Sequence, residues 1–187
     1  FLDGTKNKHL FEIADADAHS SSKSGSITTI VDGYNPHIKH TLKLSVIDTQ
    51  AIANRNFTIV VDAVNGAASS ALPAMIEVLG CKVHRLHCES NGTFPRGPEP
   101  LSHNLKQLGE AVIAHEADAG FATDPDGDRL AVVDEKGQPL SEEYTLTICA
   151  DGFLSTTTSK TPLVTNLSTT MALDKIAEKH GSSVIRS

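Results

Sequence analysis

The sequence has no tryptophan, and only 4% of its residues are aromatic against 39% hydrophobic. A packed core must therefore come from Val, Ile, Leu and Ala. Cysteine is scarce as well. Cys81, Cys88 and Cys149 form an odd set without framework spacing, which argues against a disulfide scaffold and points to a reducing, cytoplasmic setting. No apolar run approaches the ~18 residues of a spanning helix. No signal peptide is visible, although the chain begins with Phe1 rather than Met. Positive charge is short too: the formal net charge is −7 and no Lys/Arg block stands out. Nucleic acid and anionic membrane surfaces are poor partners for such a chain. A phosphorylated substrate would need a local positive site. The 187 residues suffice for one domain and part of a neighbour.

What is present alternates between two periodicities. Residues 1–33 are the least organised, with a low-complexity linker at Ser20–Ser26 and an acidic pair, Asp15 and Asp17, read as solvated loop. From Tyr34 to Asn56 the spacing is helical: Ile38, Leu42 and Val46, then Ile47, Ala51 and Ile52. Phe57–Asp62 is a β-branched run that predicts a buried strand. Asn65-Gly66 turns the chain into an apolar helix through Leu79, with Gly80 as its cap. Cys81–His87 predicts the next strand, and a Gly/Pro-dense loop runs to Pro100. Ser102 is the expected N-cap of a helix with core face Leu105, Leu108, Val112 and Ile113. Strands up to Ala122 and from Leu130, a turn at Lys136-Gly137 and a helix opening at Ser141-Glu-Glu143 follow. Strand Leu163–Thr165, a helix from Ser168 to Lys179 and strand Val184-Ile185 close the sequence. Apolar strands alternating with helices predict an α/β fold, layered helices on a mostly parallel, mixed sheet. The expected division is 1–33 as a tail and linker, 34–158 as a complete α/β domain, and 159–187 as the start of another unit too short to close its own core.

The stretch that carries chemistry is Thr123-Asp124-Pro125-Asp126-Gly127-Asp128-Arg129. Three carboxylates at alternate positions repel one another, and an all-oxygen set suits a hard cation, Mg2+ before Ca2+ or Mn2+. The adjoining guanidinium suits phosphate. Other readings compete. An EF-hand is approached by Asp124, Asp126, Asp128 and Glu135, but Arg129 stands where the turn wants Gly and a strand follows. A phosphatase-like nucleophile at Asp124 with Asp126 as acid leaves Asp128 and Arg129 without a role. Acids merely solvating a turn fit poorly between two apolar strands.

Three further groupings are weaker. Cys81, His84, His87 and Cys88 are all zinc-ligand types. On a regular strand, however, Cys81 and His87 face one way and His84 and Cys88 the other, so they cannot converge. His37 and His40 are half a metal site at best. Asn65-Gly66 could bind an anion through backbone amides, but a tight turn is the simpler use.

Asp124-Pro-Asp-Gly-Asp-Arg129 resembles the metal-binding loop of the α-D-phosphohexomutases, the phosphoglucomutases and phosphomannomutases. Val60-Val-Asp-Ala-Val-Asn-Gly-Ala67 resembles the first strand and turn of that family's second domain. Gly92-Thr-Phe-Pro95 with Pro98-Glu-Pro100 resembles its internal loop, Leu130–Gly137 its hairpin, and Asn166-Leu-Ser-Thr-Thr170 the opening of its third domain. Five matches in order cover about residues 34–187. The resemblance implies a four-domain enzyme in which a phosphoserine exchanges phosphoryl groups with a hexose phosphate through a bisphosphorylated sugar. It implies that Asp124, Asp126 and Asp128 hold Mg2+, with a phosphoserine oxygen as a further ligand, and that Arg129 lies beside it in the cleft. Departures bound the expectation. The sequence has no Thr-Ala-Ser-His-Asn-Pro-like loop, no Glu-x-Ser-type sugar-reading loop and no Arg-x-Ser-Gly-Thr-like phosphate loop. Pro125 stands where Gly is often found. The expectation is thus a fragment of a mutase, inactive alone and partnered by the remaining domains. Alternatives are a phosphatase-like hydrolase or a non-catalytic metal-binding module.

Overall fold

Asp3 accepts the Lys6 N–H at 2.9 Å and caps helix α1, Gly4–Asp15. Residues 1–33, expected to be the least organised part, thus carry a helix. Its apolar residues Leu10, Phe11 and Ile13 make no long periodic stripe, and none of its residues is buried. The computed structural model describes residues 2–16, 25–158 and 161–187. Asp17 and most of the serine run at Ser20–Ser26 lie outside the described residues. By contacts the chain forms two units, Phe1–Val31 and Asp32–Ser187.

The larger unit opens with α2 (Asn35–Thr41) and α3 (Thr49–Asn54), the latter capped by Asp48, which accepts the Ala51 N–H at 2.9 Å. The first helix was expected to run to Val46. It stops at Thr41, and Leu44 and Val46 stand exposed. Ile38 alone among its apolar positions is fully buried, so nothing anchors a third turn.

The β-branched run becomes β1 (Thr58–Asp62), followed by α4 (Ala71–Val78), β2 (Lys82–Leu86), α5 (Lys106–Ala114), β3 (Ala119–Thr123) and β4 (Leu130–Val133). The sheet order is β2-β1-β3-β4. β1 is parallel to both β2 and β3, with Val60 opposite His84 and Gly120; β4 is antiparallel to β3. A mixed, mostly parallel α/β sheet is the result. One face packs Val60, Ala122, Ala131 and Val133 against Leu105, Leu108 and Val112 of the α5 segment; the other packs Ile59 and Val61 against Ile76 of α4. The core is aliphatic, as the shortage of aromatics requires.

Two expected caps are corrected. Ser102 opens a 3-10 turn, Ser102–Asn104, and α5 starts after Leu105 with no side-chain cap; Ile113 is 60% exposed rather than core. Ser168 instead takes part in a polar turn around Asn166, and α7 (Ala172–Lys179) begins after Met171. Before it come α6 (Glu142–Thr156) and β5 (Leu163–Thr165); after it, β6 (Val184–Arg186) pairs in parallel with β5. α6 packs on β4 and on α7.

Candidate metal centre

β1 and β3 run parallel and end side by side at Asp62 and Thr123. In open α/β sheets this carboxyl edge is where ligands bind. The acidic loop leaves that edge directly, connecting β3 to its antiparallel neighbour β4. Gly127, at φ +77°, provides the turn. The β1–α4 turn presses on the loop from the side. The Ala67 N–H donates to the Pro125 carbonyl at 2.8 Å, and a Cβ on Gly66 would run into the Pro125 backbone. Asn65-Gly66 therefore serves a tight turn and a close approach.

Asp124 is 2% exposed, while Asp126 and Asp128 are exposed, and one carboxylate oxygen from each lies within 4.8 Å of the others. Oxygens on opposite sides of Mg2+ sit about 4.2 Å apart and of Ca2+ about 5 Å, so the donor set and its spread fit a hard divalent cation. These three carboxylates could hold a metal ion, and among the described residues no other such group of His, Cys, Asp or Glu occurs.

Arg129 closes on the loop. Its backbone N–H donates to Asp124 Oδ1 at 3.1 Å and its Nε to Oδ2 at 2.9 Å; Nη1 pairs with Glu99, and Nη2 has no partner among the described residues. Burial by itself would push the Asp124 carboxyl up, but the hydrogen bonds from Arg129 outweigh it and hold the carboxyl below its ordinary value. The Asp128 carboxyl is pushed up, first by the charge of Asp126 and then by contact with Asp124. Hydrogen bonds that Arg129 donates to Glu99 and then to Asp124 push its guanidinium up and keep it charged. Asp128 and Arg129 border a cleft of about 470 Å³ that Glu143, Thr145, Thr169 and Thr170 also line.

Sequence reasoning missed Asp62, Arg96 and Glu99. Asp62 is wholly buried at the end of β1 and receives Arg96 Nε at 2.8 Å. A charged residue closing a buried strand was the available signal. The cysteine–histidine grouping comes apart in an unforeseen way. His87 takes a left-handed backbone, φ +49°, which breaks the strand alternation. Cys81 and Cys88, at opposite ends of β2, then each pack against the α4-side core. His84 stacks on His115 at 3.8 Å, and His87 Nδ1 turns to within 3.3 Å of Asp62. His37 and His40 are both exposed and belong to no ligand cluster among the described residues.

The profile described as phosphoglucomutase/phosphomannomutase, alpha/beta/alpha domain II, matches residues 32–137. The chain belongs to this family. A phosphoglucomutase/phosphomannomutase of Thermococcus kodakarensis is 40% identical over 141 residues, covering 75% of this chain and 31% of that protein. A probable phosphoglucosamine mutase of Methanosarcina acetivorans is 38% identical over 141 residues, covering 72% of this chain and 30% of that one. The chain thus spans about a third of the length of these curated relatives. Among solved structures, a phosphoglucomutase/phosphomannomutase family protein of Burkholderia thailandensis matches at 25% identity with a TM-score of 0.69, over 99% of this chain and 39% of that one. A putative phosphomannomutase of Thermus thermophilus shares the fold, with a TM-score of 0.74 at 22% identity over 90% of this chain and 39% of that one. Family membership places the acidic loop inside the matched region. No helix of the described residues is long and apolar enough to cross a membrane.

Proposed function

We propose that this chain is the cation-holding part of a phosphohexomutase, a cytoplasmic enzyme that interconverts hexose 1-phosphate and hexose 6-phosphate. Asp124, Asp126 and Asp128 would hold Mg2+, and Arg129 would meet substrate phosphate. The observation that carries the reading is the carboxylate triad at the sheet's carboxyl edge beside the 470 Å³ cleft, in a member of this family. A bound cation would supply charge neutralisation to phosphoryl oxygens. The chain's own groups do the rest. Buried Asp124 anchors the loop, exposed Asp126 and Asp128 each bring an oxygen within 4.8 Å of it, and Arg129 keeps one guanidinium nitrogen available at the cleft. The division at 34–158 and 159–187 belongs to the same proposal, the second piece contributing Thr169 and Thr170 to the cleft wall.

A phosphatase-like role would need Asp124 as nucleophile. A carboxylate with both oxygens held by Arg129 and 2% exposed favours a ligand instead. The mutase reaction that the family resemblance implies uses a serine in a His-Asn-Pro setting, which these 187 residues lack, so we expect no turnover from them alone. Amide resonances of the isotope-labelled chain test the reading. Mg2+ should shift residues 124–129, and glucose 1-phosphate added next should shift Arg129, Thr169 and Thr170. A response elsewhere, or none, would contradict it.

A further inference from the structure

Arg96 lies in the long loop between β2 and α5, yet its side chain is only 5% exposed. A guanidinium offers five N–H donors, and all five are accounted for. Nε donates to Asp62 Oδ2 at 2.8 Å. Nη2 donates to the carbonyls of Thr123 at 2.7 Å and Asp62 at 3.4 Å. Nη1 donates to the carbonyls of Gly97 at 3.0 Å and Pro98 at 3.4 Å. Asp62 spends its other oxygen on the Val64 N–H at 2.9 Å. A buried ion pair is by itself weak evidence for stability. What matters is which segments it joins.

Thr123 is the residue before Asp124, and Pro98 is the residue before Glu99. Asp124 and Glu99 are the carboxylates that grip Arg129 most closely, with Asp128 Oδ1 farther off at 3.9 Å from its Nε. The Arg96 fork therefore fixes, from below, the distance between the two jaws of the Arg129 clamp. The geometry points to Arg96 as a positioning residue: it aligns the acidic loop and the Arg129 guanidinium without touching substrate or cation. The part concerning the cation rests on the reading of Asp124, Asp126 and Asp128 as its site. Lysine cannot replace Arg96, because one ammonium keeps the charge beside Asp62 but lacks the planar fork that reaches both loops.

The test uses the full 187-residue chain and its Arg96→Lys and Glu99→Gln variants, with two readouts. The first is the Arg129 Nε–H resonance, which the hydrogen bond to Asp124 shields from exchange. The second is Mn2+ binding followed by electron paramagnetic resonance. Arg96→Lys should exchange-broaden the Arg129 signal and weaken Mn2+ binding about tenfold, the low end for residues that orient ligands, while amide signals from β1, β3 and α5 persist. Glu99→Gln, at a half-buried position outside the Asp62–Arg96 pair, should broaden the Arg129 signal with Asp62 and Arg96 intact, and it carries the test if Arg96→Lys unfolds. Variants that keep the sharp Arg129 signal overturn the proposal, as does a fall in melting temperature with unchanged Mn2+ affinity. Wild-type chain that binds no Mn2+, with an Arg129 signal that still depends on Arg96, sinks the cation reading and leaves the clamp standing.

Discussion

Asp124 has a hydrogen bond on each oxygen and almost no exposure, whereas Asp126 and Asp128 stand in solvent. The alternating acids were legible as a cluster because their spacing is local. Their unequal burial was not, since it comes from the β1–α4 turn more than fifty residues upstream pressing on Pro125. The cysteines divide in the same way. Cys149 is exposed and lines the cleft, while Cys81 and Cys88 are half-buried. Burial pushes both of those thiols up, with the Asp118 charge adding to the effect at Cys81. A raised thiol holds less reactive thiolate at any pH below its own value. A disulfide exchange reagent at mildly alkaline pH should therefore consume one thiol fast and two slowly, and Cys149→Ser should remove the fast phase. Three equal rates would count against this packing.

At the scale of elements, the strands were legible because β-branched apolar runs are their own signal. The helix limits were not, because tertiary contacts set them: α2 stops where burial stops, and α5 starts after a 3-10 turn. The packing of α5 on the hairpin after β4 depends on two facing glycines. A Cβ on Gly109 would meet the Gly137 carbonyl, and one on Gly137 the Gly109 carbonyl. Alanine gains about 1 kcal/mol over glycine within a helix, but overpacking against backbone costs about 1–3 kcal/mol. Gly109→Ala should thus lower stability despite its better helix propensity, seen as a lower urea midpoint at unchanged slope. A raised midpoint would mean that the hairpin moves aside freely.

The whole molecule brings its sequence-distant parts to the carboxyl edge of one sheet. Asp62 ends β1, the Arg96–Glu99 loop follows β2, the acidic loop follows β3, and Thr169 and Thr170 face it across the cleft. Pattern and resemblance led to the α/β class, the family and the acidic loop. They could not reveal the Asp62–Arg96 pair or the Glu99 contact, because a loop dense in Gly and Pro has no periodicity from which burial can be read. The central claim is that Asp124, Asp126 and Asp128 form one cation site. A Mn2+ titration of this chain, followed by electron paramagnetic resonance, tests it most directly. The account predicts one ion per chain, bound more weakly than micromolar because three carboxylates leave the rest of the shell to water, and lost on Asp126→Asn with Asp128→Asn in a chain that stays folded. Binding that survives those two substitutions, or no binding at all, would contradict it.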